Sequence, residues 1–124
     1  MSQEAYTRFV PELKEGGILI VEEDLVRVSD LKRGVRVYGL AATRMAEELG
    51  KRVVLNSVMV GFFTAITRLL DADAVRKAVA DSVPANFREL NLKAFEKGFA
   101  YGNNPLTGKP AKFELEDEPA DSQE

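Results

Sequence analysis

Ile18-Leu19-Ile20-Val21 is an unbroken apolar run that follows Gly16-Gly17 and ends at Glu22-Glu23-Asp24. A short β-branched run with no polar alternation predicts a strand covered on both faces, the kind found in parallel sheets. Such a strand needs strand neighbours and helices above and below it. The rest of the chain offers few strands. Val35-Arg36-Val37-Tyr38 alternates and reads as a second strand, and Arg52 to Leu55 as a brief third. Val26-Arg27-Val28 reads as a short extended piece within a loop.

Helical signals surround these segments. Ser2 is an expected N-cap, and Ala5, Tyr6, Phe9, Val10 and Leu13 fall on one helical face that Pro11 interrupts. Ala41 to Leu49 reads as a short helix with Leu40, Met45 and Leu49 inward, stopped by Gly50. Asn56 opens the most apolar helix, with Val60, Phe63, Thr67 and Leu70 along one side. Met59, Phe62, Ile66 and Leu69 fill much of the remainder, so burial on most sides is expected. Asp71 to Val83 reads as amphipathic, with Ala74, Val75, Ala78 and Val79 inward. The last helix, Asn86 to Ala100, follows Pro84 and precedes Gly102. The fold class expected is α/β: layered helices on a short, mostly parallel sheet, poor in strands.

Composition removes whole classes of chemistry. The 124 residues contain no His, no Cys and no Trp. Disulfides, a Cys nucleophile, iron–sulfur ligation by thiolates, a Ser-His-Asp triad and the common zinc sites all require the missing residues. A carboxylate-only Mg²⁺ site remains open. Charge is uneven: Lys112 to Glu124 has one base and six acids, −5, while residues 1–111 have 16 bases and 14 acids, +2. The scattered bases do not make a nucleic-acid footprint. No apolar window is clean enough for a membrane span, and the polar, acidic start is unlike a signal peptide, so a cytoplasmic protein is expected. Residues 105–124 are expected to form a mobile polar, acidic tail.

Three local patterns carry candidate chemistry. Glu22, Glu23 and Asp24 at a strand end resemble the acidic Mg²⁺ pocket of receiver domains, and Lys109-Pro110 resembles that family's Lys-Pro. The phosphoacceptor Asp has no counterpart in the helical stretch Val60 to Leu70, so solvated acids capping a strand are the simpler reading. Gly102 to Pro110 fails as a phosphate loop because Asn103 and Pro110 occupy the places of a Gly and a hydroxyl residue. Asn56, Ser57, Met59 and Gly61 open the apolar helix and are the candidate contacts for a cofactor or partner, against the simpler reading of a capped, tightly packed helix. Arg36, Arg44, Lys51 and Arg52 flank them in sequence.

Read in order, several segments are more specific than any one. Ser2-Gln3-Glu4-Ala5-Tyr6 leading to Gly16-Gly17, Tyr38-Gly39-Leu40-Ala41-Ala42-Thr43, Asn56 to Gly61, and Asn91-Leu92-Lys93-Ala94-Phe95 with Gly98 resemble the gamma subunit, or gamma domain, of 2-oxoacid:ferredoxin oxidoreductases. Ala41 stands where that family usually has Pro. The family's N-terminal strand and Gly-rich turn have no counterpart, so the resemblance implies the C-terminal two-thirds of the domain, over residues 1–104. It also implies oxidative decarboxylation of a 2-oxoacid to an acyl-CoA by a complex of alpha, beta and delta-type partner subunits. Thiamine diphosphate and iron–sulfur clusters would sit on those partners, coenzyme A would be co-substrate, and ferredoxin would take the electrons. This chain would serve as a non-cluster-bearing scaffold with no reaction of its own.

Overall fold

The computed structural model describes residues 3–28 and 31–110. Ser2, expected as an N-cap, and residues 111–124 of the expected tail lie outside them. Helix α1 (Gln3–Phe9) runs into a 3₁₀ turn (Val10–Glu12) with Pro11 in its first positions. Strand β1 (Ile18–Glu22) and strand β2 (Arg36–Leu40) follow, then α2 (Ala42–Glu48), α3 (Leu55–Thr67), α4 (Ala72–Ser82) and α5 (Ala85–Asn103).

The two strands pair in parallel, Ile18 opposite Arg36 through Glu22 opposite Leu40. A parallel pair needs a crossover of about a dozen residues. Here the described residues of the crossover form no helix, but they bury Val26 under the sheet. Strand alternation then sends the residues to two cores. Leu19, Val21 and Val37 pack with Tyr6 and Val26, supported by Val10 and Leu13. Tyr38 and Leu40, with Ile18 and Ile20 against them, face Ala42, Ala46, Val58, Phe62 and Ala94. The run at Ile18 is thus covered on both faces, as its lack of alternation predicts.

The helical core is closed by α3 lying on α5. A Cβ on Gly61 would collide with the Phe95 carbonyl, and one on Gly98 with the Val58 carbonyl. The two backbones touch directly at these reciprocal points, which only glycine permits. Phe62 fills the space beside the crossing, 6.5 Å from the Tyr38 ring and 5.9 Å from Tyr101 between centroids.

Several local expectations are corrected. Arg52–Val54 is a 3₁₀ turn running straight into α3, with Val54 drawn into the core. Val26 to Val28 lies in a loop, as expected. Gly102 does not follow α5 but lies inside it, buried against Ala65 and the Phe62 carbonyl. Helix α3 is not covered all round: Val58, Gly61, Phe62 and Ala65 are buried, whereas Val60 and Phe63 are exposed. Its inner side carries small residues, Gly61 and Ala65, between the large Val58 and Phe62. In α1 the inward residue is Tyr6, and Phe9 is exposed beneath the Arg8 guanidinium. Helix α4 buries no residue fully; Val75 and Val79 are half-buried and Ala74 and Ala78 exposed. Residues Pro105–Pro110 turn back onto α5, with the Thr107 hydroxyl donating to the Tyr101 carbonyl (2.6 Å).

Candidate functional site

The start of α3 separates the four candidate residues. Val54 occupies the N-cap and contributes no side-chain bond. Asn56 is exposed, and Met59 is half-buried against the helical core. Ser57 turns the other way: its hydroxyl donates to Asn91 Oδ1 on α5 at 2.6 Å, and Asn91 Nδ2 in turn donates to the Phe87 carbonyl at 2.9 Å. Gly61 is the contact point with α5. So Ser57 and Gly61 fasten α3 to α5, while Asn56 presents its amide outward. Asn91, which sequence reading placed in a family segment without a role, is the polar partner in this clamp.

Among the flanking bases whose side chains are described, Arg36, Arg44 and Lys51 do not converge there. The Arg44 guanidinium grips Asp24, with Nε at 2.7 Å and Nη2 at 3.1 Å. Lys51 sits over the Phe87 ring, 5.6 Å from its centroid, and Arg36 is exposed.

The acidic run at the end of β1 is not a cation pocket. Glu22 is buried, and its two oxygens accept backbone N–H groups, Asp24 N at 2.8 Å and Thr43 N at 2.9 Å. Thr43 lies in the first turn of α2, whose own N-cap, Ala41, has no side-chain bond to offer. A buried carboxylate borrowed from the strand therefore satisfies an otherwise orphaned helix N–H. The Arg44 guanidinium beside Asp24 holds that carboxyl below its usual range. Among the described residues no group of three acids converges on a point that could hold a metal ion. The receiver-like alternative built on Glu22, Glu23 and Asp24 fails on these contacts.

Two clefts open at the carboxyl ends of the strands, where ligands of parallel sheets generally sit. One, of about 750 Å³, has an apolar floor of Val21, Val26, Val37 and Gly39, with Arg27 and Lys109 at its rim. The other, of about 580 Å³, lies against α2 and includes Arg44, Glu48 and Lys97. Lys97 and Glu48 are paired at 2.8 Å, which holds the Glu48 carboxyl below its usual range. Glu23 and Tyr101 line both clefts. Burial, reinforced by the Glu23 carboxylate and opposed by Arg44, pushes the Tyr101 phenol above its ordinary range. Sequence reading did not single out Tyr101. It lies more than sixty residues from the strands it joins, so no local spacing announces the contact.

The fold and the sequence both match known proteins. The 2-oxoglutarate synthase subunit KorC of Methanocaldococcus jannaschii is 40% identical over 101 residues, covering 80% of this chain and 54% of that protein. The same subunit of Methanothermobacter thermautotrophicus is 38% identical, covering 79% and 55%. The chain thus spans about half the length of the curated relatives it matches. The crystal structure of a keto/oxoacid ferredoxin oxidoreductase gamma subunit from Geobacter sulfurreducens superposes with a TM-score of 0.75 at 35% identity, covering 81% of this chain and 59% of that one. The 2-oxoglutarate:ferredoxin oxidoreductase of Magnetococcus marinus, 19% identical with a TM-score of 0.73, shares the fold over 93% of this chain and 20% of its own. The pyruvate ferredoxin/flavodoxin oxidoreductase family matches residues 1–101, and the chain belongs to that family.

Proposed function

We propose that this chain works as a gamma subunit, or part of one, in a thiamine diphosphate-dependent 2-oxoacid:ferredoxin oxidoreductase. The observation that carries the reading is the match over residues 1–101 to subunits of that enzyme class. Residues 1–104 are the partial gamma-type domain and 105–124 its tail. With no Cys and no His in these 124 residues, cluster ligation and imidazole proton transfer must come from other polypeptide. The chain's part is scaffold and interface, alongside alpha, beta and delta-type subunits in the cytoplasm. Coenzyme A is the acyl acceptor and ferredoxin the electron acceptor. The relatives named for 2-oxoglutarate are 36–40% identical and those named for pyruvate 27–30%, so 2-oxoglutarate is the first substrate to test.

Asn56, Ser57, Met59 and Gly61 mark the proposed contact with cofactor or partner. Asn56 and Met59 supply the reaching side chains, and Ser57 and Gly61 hold the helix that carries them. Co-expression with the neighbouring subunits tests the assignment. The chain is expected in the purified complex, and coenzyme A-dependent reduction of a viologen dye by 2-oxoacid is expected to need it. A complex that assembles and turns over at full rate without the chain overturns the reading.

A further inference from the structure

The cleft of about 750 Å³ over Val21, Val26 and Val37 takes no part in the clamp between α3 and α5. Two irregular segments, far apart in sequence, wall it. On one side the crossover after β1 supplies Arg27 and Val28. The Gln3 side chain on α1 fixes that backbone twice, accepting from the Arg27 N–H and donating to the Arg27 carbonyl. On the other side the turn after α5 supplies Leu106 and Lys109. Asn104 pins this turn: its carbonyl accepts the Thr107 and Gly108 N–H groups, and its side chain accepts the Leu106 N–H. A Cβ on Gly108 would collide with the Gly102 carbonyl, so the turn rests backbone against backbone on α5. Irregular segments locked in place by a rigid scaffold are where binding residues concentrate.

The lining says what fits. The floor is valine, and Leu106 in the wall is 77% exposed, so the apolar lining continues to the mouth. The charged residues are two bases, Arg27 and Lys109, and one acid, Glu23, a balance of +1. Among the described residues neither base has an ion-pair partner, whereas Arg44, Arg76, Lys77, Lys93 and Lys97 all have one. Glu23 stands in the wall shared with the second cleft, where its charge acts on Arg44. An apolar floor with its charge confined to the mouth suits a ligand that is apolar along its body and charged at one end. Covering the body frees water from hydrocarbon, and a head left at the rim keeps most of its hydration. The balance of +1 selects a single negative charge on that head.

We propose that this cleft binds a small monoanion with an apolar body, of the class of medium-chain carboxylates. The body lies over Val21, Val26 and Val37, and the head meets Arg27 and Lys109 at the rim. The site is separate from the contact proposed at Asn56, and it depends on neither the substrate nor the activity of the complex.

A diazirine-bearing decanoate is the probe, applied to the full chain in the co-purified complex. Photolabelling is expected on peptides from residues 21–28 or 101–110, and excess decanoate is expected to suppress it. Decanol has the body without the charge, and acetate the charge without the body. Each should compete roughly tenfold less well, or worse. Decyl phosphate, with its second charge, should compete no better than decanoate. Arg27→Ala combined with Lys109→Ala removes two exposed side chains and is expected to weaken decanoate roughly tenfold. Arg33→Ala, at an exposed base before β2, should change nothing. Absence of labelling, labelling spread over other peptides, equal competition by decanol or tighter binding of decyl phosphate overturns the proposal. So does a double variant that binds decanoate as well as the parent chain. Labelling of the chain alone that vanishes in the complex also overturns it, because neighbouring polypeptide then covers the cleft. None of these readouts is oxidoreductase turnover, so the function proposed above stands or falls apart from them.

Discussion

Helix α5 receives two neighbours by opposite means. Against α3 it brings backbone to backbone, with Gly61 and Gly98 leaving no room for a side chain. Against α4 it extends a polar bridge. The Arg76 guanidinium lies 4.9 Å from the Phe99 ring centroid and 5.4 Å from Phe95, pairs with Glu96, and reaches Asp73 at 2.7 Å. Helix α4 buries no residue fully, so this one long side chain does much of the fastening. The first contact is a matter of volume and tolerates no addition. The second is a matter of charge and stacking, and it weakens by degrees.

The sharpest way to break the contrast is Gly98→Val. The added carbons would overlap the Val58 carbonyl, so the helices must part, at a cost of about 3 kcal/mol or more by chemical denaturation. Gly61→Val is expected to match it from the other side. Arg76→Ala should cost less, about 1 kcal/mol, and should loosen α4 without moving the α3–α5 crossing. Hydrogen exchange would show α4 amides opening first. Arg76→Lys should restore little, because an ammonium cannot stack on two rings and grip a carboxylate at once.

The smallest effect sharpens the comparison through pH. A hydrogen bond from Lys77 holds the Asp81 carboxyl below its ordinary range. Its folded value is thus lower than its unfolded one, so its contribution to α4 is complete above the unfolded value. It fades as pH falls through the folded one. Both groups are well exposed, so the change should appear as faster exchange in the last turns of α4 on acidification, with the crossing at Gly61 unmoved. Equal acid sensitivity at the two contacts would erase the distinction.

What could be read from the sequence follows from how local each signal is. The strand at Ile18 and its double burial were legible because four consecutive apolar residues leave no polar face. The resemblance was legible because separate segments keep one order. The orientation of α3 was not. A helix without charge has no polar side to point outward, and the large residues Val60 and Phe63 suggested the core as strongly as Phe62 did. The decisive signal was the pair of glycines, Gly61 on one helix and Gly98 on the other, which has meaning only once the two helices are known to cross. The false third strand at Arg52 to Leu55 arose from β-branched residues judged apart from the turn that holds them. Of the candidate contacts, Asn56 and Met59 kept their access to the surface. Ser57 and Gly61 took up packing duties that spacing cannot distinguish from binding.

The glycine crossing also governs how a push would travel. Helices in direct backbone contact cannot slide without overlap, so α3 and α5 shift together as a stiff lever. Phe62 on that lever leans on Tyr101, and Tyr101 walls both clefts at the strand ends. A displacement of α3 is therefore expected to be felt at those clefts through the Phe62–Tyr101 ring contact.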